Sequence, residues 1–117
     1  MIWLSNHELY KNKYDGCPLT YALNLIGGKW KLPIIWALNK NGILRYNELK
    51  RNIEGITNMV LTQSLKELES DGIVNRKQYM EIPPRVEYSL TDSGKELIPA
   101  LKALANWGKK MRNELTQ

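Results

Sequence analysis

Between Thr57 and Ser70, a helix turning about 100° per residue would set Met59, Thr62, Gln63, Lys66 and Ser70 on one arc, with Asn58 beside them. The arc offers thioether, hydroxyl, amide and ammonium groups and no carboxylate. That set suits base edges and phosphates, because nothing on it repels a polyanion. Gln63 is the sharpest candidate, since a glutamine amide can meet adenine bidentately. Arg45, Asn47, Lys50 and Arg51 precede the arc and are available for a phosphate backbone, where contacts set register. Arg76, Lys77 and Arg85 follow it, flanking a proline-bearing segment, where cations can meet phosphates or a narrow minor groove. The plain alternative for each of these cations is a solvated surface charge.

Other chemistry finds less support. Cys17 is the lone cysteine, which excludes an intrachain disulfide and a cysteine-based zinc cage, and His7 is the lone histidine. No metal, cofactor or enzymatic activity is expected: the chain has no phosphate loop, no Ser/His/Asp set and no dyad partner for Cys17. Glu67, Glu69 and Asp71 read as acidic neighbours on a solvated turn. Cys17 itself stands before Pro18 at a predicted helix start, where the helix's partial positive charge and nearby Lys13 would enrich the thiolate. A small packing residue is the competing reading.

The elements that must position these groups follow from periodicity. Thr57 caps the arc-bearing helix, whose inward face carries Leu61, Leu65 and Leu68 flanked by Val60, and Gly72 ends it. Residues 73–79 and 85–90 then read as two strands of a small basic hairpin, joined by MEIPP, whose prolines bar it from a central strand. A capped helix running into such a hairpin is a winged helix-turn-helix. Upstream, Pro18 opens a helix with Leu19, Leu23 and Ile26 on one face, stopped at Gly27-Gly28. A second helix is expected from about Lys29 to Asn39, with Trp30, Ile34, Ala37 and Leu38 as core, closed by Gly42. A third runs from about Tyr46 to Ile53, supports the arc through Leu49 and Ile53, and turns into it through EGIT.

After the wing, Thr91 or Asp92 caps a long final helix in which Leu97, Leu101, Leu104, Met111 and Leu115 recur at helical spacing. That stripe outlasts the core of so small a domain, so a second copy is the expected cover. Leu101, Leu104, Trp107 and Met111, together with Leu19 and Leu23, are the candidate interface, and folding back onto the same subunit is the alternative. The organisation is thus one domain, 1–117: an N-terminal extension over 1–15, helix-turn-helix and wing over 17–90, and a dimerisation helix over 91–117. The extension, with Ile2, Trp3, Leu4 and Tyr10, is expected to add a helix after Ser5 or Asn6 or to fray. The fold class is mainly α with a small β-hairpin wing, α+β.

A chain of 117 residues with net charge +5 and pI near 9.4 fits a single core that favours polyanions as partners. The charge is uneven: residues 1–41 carry +3, residues 42–90 are neutral, and residues 91–117 carry +2. Any positive reading surface must therefore arise by spatial sorting. With no apolar run long enough to span a bilayer and no signal-peptide core, the expected location is the cytoplasm.

Five blocks, CPLTYALNLIGGKWKLPII, LRYNELKRNIEGIT, LTQSLKELESDGIV, PPRVEYSLTDSG and the late Trp107, stand in an order that resembles the HxlR family of bacterial transcriptional regulators, relatives of the MarR-like winged-helix proteins. The resemblance runs from about Gly16 to Trp107. It implies a homodimer, joined through its first and last helices, that binds double-stranded operator DNA and represses or activates neighbouring genes. It also implies that Arg45 touches DNA while Tyr46 packs, and that the Cys-Pro cysteine matches a position where several family members sense oxidants, quinones or aldehydes. A winged helix serving as a protein or RNA interaction module is the competing class, which the neutrality of residues 42–90 allows.

Overall fold

The computed structural model describes residues 16–115. Along the chain lie α1 (Pro18–Ile26), α2 (Lys31–Asn41), β1 (Ile43–Arg45), α3 (Tyr46–Asn52), α4 (Asn58–Ser70), β2 (Val74–Tyr79), β3 (Arg85–Leu90), α5 (Asp92–Glu96) and α6 (Ile98–Leu115). The helices α2, α3 and α4 pack around one core in which Ile34, Ile35, Leu38, Leu49, Leu61 and Leu68 are sealed from solvent. Trp30, expected in that core, is only partly buried at its margin.

The sheet differs from expectation. It has three antiparallel strands in the order β1-β3-β2, so the hairpin carries an extra strand on its β3 edge. The added strand pairs Ile43 with Ser89, Leu44 with Tyr88 and Arg45 with Glu87. Three residues are too few for alternation to stand out in a sequence, and only the burial of Leu44 between exposed neighbours marks the pattern.

The final helix also departs from a continuous rod. Thr91, rather than Asp92, is the cap: its hydroxyl accepts from Gly94 N at 3.0 Å and donates to Gly72 O at 2.6 Å. Gly94 is required there, since a Cβ would sit 2.4 Å from the Ile73 carbonyl oxygen. The helix breaks at Leu97, whose N–H bonds back to Gly94 O at 3.2 Å, and α6 begins with Pro99 in its first turn. Proline brings no N–H for the carbonyl four residues earlier, so the ladder is interrupted where the rod was expected to run through.

Candidate nucleic-acid interface

Helix α4 is built as its sequence requires. The Thr57 hydroxyl accepts from Val60 N at 3.2 Å, and Leu61, Leu65 and Leu68 are buried. Asn58, Met59, Thr62, Gln63 and Lys66 therefore project from the opposite side, all exposed. The segment before it, Glu54-Gly55, turns with Gly55 at φ 84°.

Tyr46, at the head of α3, does more than pack. Its hydroxyl lies 3.0 Å from Asn58 O, 3.3 Å from Asn58 Oδ1 and 3.1 Å from Thr62 Oγ1. Two of the arc's polar groups are thus held by one phenol on the supporting helix. Sequence reasoning could not find this, because nothing in a phenol's local spacing says which residue 12 or 16 positions on it will meet.

Gln63 is also engaged. Its Nε2 donates to Glu67 Oε2 at 2.7 Å, while Glu67 Oε1 pairs with Lys31 Nζ at 2.7 Å. The Lys31 and Glu67 side chains are only 4% and 14% exposed, so Glu67 does not belong to a solvated acidic turn. The expectation fails because the first turn of α2 comes against α4 and supplies a buried ammonium. Glu69 is exposed, as expected.

The wing sorts its side chains by the two-residue period of a strand. Pairing places Arg76 opposite Tyr88 and Gln78 opposite Val86, on the face turned to α4. Arg76 and Lys66 line a cleft of about 440 Å³ between α4 and the sheet, with Tyr46, Thr62, Leu65, Glu69 and Tyr88. On the other face Lys77, Glu87 and Arg45 stand in one row across the three strands. Arg85 is not a free cation: it lies 3.9 Å over the Tyr79 ring, with Glu81 at 3.3 Å and Glu87 at 3.5 Å. Its charge is thus shared with two carboxylates of the wing.

Arg45, Asn47 and Arg51 are exposed around α3 and Lys50 is half-buried. Glu48 Oε1 accepts from Arg45 N at 2.8 Å and so closes the start of that helix. Lys50 and Arg51 occupy its last turn, where they also complement the negative end of the helix.

Cys17 is exposed and takes the N-cap position of α1, with Pro18 next. The Thr20 hydroxyl donates to Cys17 Sγ at 3.2 Å. This bond, and after it the backbone N–H of Thr20, lowers the thiol below its ordinary value; desolvation opposes them, and the backbone N–H of Leu19 adds the least. Lys13, the other expected influence, lies outside the described residues, as does the whole 1–15 extension.

The apolar candidates divide. Leu101 is only 8% exposed and belongs to its own subunit's core, so it offers little surface to a second copy. Ile98, one turn earlier on α6, is buried with it. Farther along, Leu104, Trp107 and Met111 remain exposed, Trp107 by 60%, as do Leu19 and Leu23 on α1. An apolar groove of about 440 Å³ lined by Leu32, Pro33, Trp36, Leu101, Leu104 and Ala105 adjoins this stripe. Among the described residues there is no group of His, Cys, Asp or Glu placed to hold a metal, and no helix long and apolar enough to cross a membrane.

This arrangement recurs in known proteins. An HTH-type transcriptional regulator of Halalkalibacterium halodurans is 52% identical over 107 residues, covering 89% of this chain and 95% of that one. The redox regulator HypR in its reduced form superposes with TM-score 0.79 at 42% identity, over 85% of this chain and 97% of its own. Reduced YodB from Bacillus subtilis, a transcriptional regulator, gives TM-score 0.72 at 34% identity over 80% and 92%. The family model described as HxlR-like helix-turn-helix matches residues 25–116. With the capped helix α4, the three-stranded wing and these relatives in agreement, the chain belongs to the HxlR-like helix-turn-helix family of DNA-binding transcriptional regulators.

Proposed function

We propose that two copies of this chain form a twofold dimer that reads an inverted-repeat operator, each α4 entering a major groove. The observation that carries this reading is the exposed face of Asn58, Met59, Thr62, Gln63 and Lys66, braced by Tyr46 and flanked by the wing. Gln63, with Asn58, Met59 and Thr62, meets base edges, and Lys66 meets the adjacent phosphates. Arg76 and Lys77 on the wing, and Arg45, Asn47, Lys50 and Arg51 around α3, take the backbone. Arg85 contributes mainly by stiffening the wing through Tyr79. Leu19, Leu23, Leu104, Trp107 and Met111 supply the apolar seam. Residues 91–117 act as the dimerisation segment of a single domain, and the protein acts by binding in the cytoplasm, without catalysing a reaction.

Selection of bound genomic fragments at physiological salt tests the reading. It should return inverted repeats with half-sites about 10 base pairs, or a multiple of a helical turn, apart. Recovery of fragments without a shared sequence, or weak dependence of binding on salt, would favour a protein or RNA interaction module instead.

A second element of the proposal is thiol control. It is favoured by the exposed Cys17, whose sulfur accepts from Thr20, and by likeness to HypR, which is known in reduced and oxidized forms. Oxidant treatment of the free and DNA-bound protein, with Cys17→Ser as control, tests it.

A further inference from the structure

The carboxylate of Glu67 joins two elements with different tasks. One oxygen faces the Lys31 ammonium at 2.7 Å and the other accepts from Gln63 Nε2 at 2.7 Å. Lys31 is held in turn by the Leu25 carbonyl at the end of α1, 3.4 Å away, and is almost fully buried. An ammonium only donates, so the atom of residue 67 facing it must be an acceptor. A carboxylate satisfies this and still presents a second acceptor to its neighbour, so Gln63 must turn its NH2 toward Glu67. The amide oxygen of Gln63 and the second hydrogen of its Nε2 are then left for the groove, in a fixed order of acceptor and donor. That order matches the N6 donor and N7 acceptor of adenine.

We propose that Glu67, locked by the buried Lys31, is a positioning residue that fixes the amide orientation of Gln63 and thereby sets the base preferred at one position of the operator half-site. The inference rests on the reading of α4 as the groove-entering helix. A free glutamine presents its amide in either sense and is ordered only by the base it meets. A glutamine pinned through its NH2 has lost one of its two orientations before DNA arrives, and the ordering cost on binding falls accordingly.

The near-isosteric Glu67→Gln substitution makes the idea sharp. Facing Lys31, the new amide must turn its oxygen to the ammonium, which leaves its NH2 toward Gln63. Gln63 then has to offer its oxygen to that NH2, and the acceptor–donor order it shows the groove reverses. The expected result is a change of base preference at one position, rather than a uniform loss.

The experiment is selection from a randomised duplex library with full-length wild-type, Gln63→Ala, Glu67→Gln, Glu67→Ala and the Glu67→Ala/Gln63→Ala double variant, with thermal unfolding of each. Wild type should prefer one base at the position Gln63 reads, by about tenfold. Gln63→Ala should flatten that position. Glu67→Gln should shift the preference there to another base, and Glu67→Ala should flatten it with no further loss on adding Gln63→Ala. If Gln63→Ala flattens a position while both Glu67 variants keep the wild-type profile, the positioning role is overturned and the reading of α4 stands. If Gln63→Ala changes no position, the assignment of Gln63 fails and carries the positioning role with it. Should Glu67→Ala not fold, Glu67→Gln decides alone. A merely structural Glu67 would lower the unfolding temperature and weaken all sequences together, leaving the preferred base unchanged, which also overturns the proposal.

Discussion

The Tyr46 hydroxyl stands 3.1 Å from Thr62 Oγ1, so the first residue of the supporting helix is bonded to the face proposed to read DNA. The same oxygen reaches the backbone and side chain of Asn58, one residue after the cap. Helix α4 is thereby fixed at its N-terminal turn, the end that enters a groove first in helix-turn-helix proteins. The contact lies at the surface, which limits its worth for stability but not for orientation.

Tyr46→Phe separates those two effects. The variant should lose about 0.5–1.5 kcal/mol of stability, the net value of a typical hydrogen bond. Operator affinity should fall by about fivefold, equivalent to about 1 kcal/mol, while unrelated DNA is affected less. Thermal unfolding and fluorescence anisotropy with operator and unrelated duplexes check this. Equal losses on both duplexes would mean that the phenol orients nothing that reads sequence.

How far the sequence showed this depends on how far apart the partners lie along the chain. Helix α4 was legible because Thr57, the leucines at 61, 65 and 68, and Gly72 are local signals that agree. The wing was legible for the same reason. By contrast, Lys31 and Glu67 belong to separate helices 36 positions apart, and no periodicity announces that a lysine of one will be buried against a glutamate of the other. The break at Leu97 had a local sign in Pro99, but the leucine spacing on either side of it suggested one rod. Leu101 shares that spacing with Leu104, and nothing local to the stripe says that the core takes the first and leaves the second exposed.

The wing's charges predict an ordering of salt effects. Arg76 and Lys66 line the cleft beside α4, whereas Arg85 is already faced by Glu81 and Glu87. Arg76→Ala and Lys66→Ala should each reduce the slope of log affinity against log salt by about one unit. Arg85→Ala should change it by clearly less, because removing a neutralised cation releases fewer counterions. Titrations of one duplex across a salt series measure all three. A full unit lost in Arg85→Ala would show that DNA displaces the two glutamates.

The division of the apolar stripe predicts two kinds of damage. Leu104→Glu combined with Trp107→Glu places charges on a face exposed in the protomer, so the domain should fold and remain monomeric, with operator binding severely weakened. Leu101→Ala instead removes a buried side chain and should cost about 2–5 kcal/mol of stability without an equivalent change in association once folded. Sedimentation velocity and chemical unfolding distinguish the two. A wild-type protein that sediments as a monomer at micromolar concentration contradicts the dimer outright.

The last prediction concerns the sulfur of Cys17, to which the Thr20 hydroxyl donates at 3.2 Å. A donor stabilises the thiolate more than the thiol, so the pKa lies below the ordinary value and a larger share of the thiol is reactive at neutral pH. Alkylation followed across pH should therefore reach half its plateau rate below the pH found for a free thiol. Thr20→Val removes the side-chain donor, the largest cause of the shift, and should move that midpoint upward while leaving α1 in place. Diamide should take two electrons and two protons from two Cys17 thiols, giving an intersubunit disulfide and the hydrazine, or join Cys17 to a small thiol by the same balance. Because Cys17 starts the helix that carries Leu19 and Leu23, either product alters the seam and with it operator affinity. Cys17→Ser should bind DNA and ignore the reagent. If native Cys17 is modified and operator affinity does not change, the thiol is not the control point, whatever its reactivity; if Thr20→Val leaves the alkylation profile where it was, the hydroxyl is not what activates it.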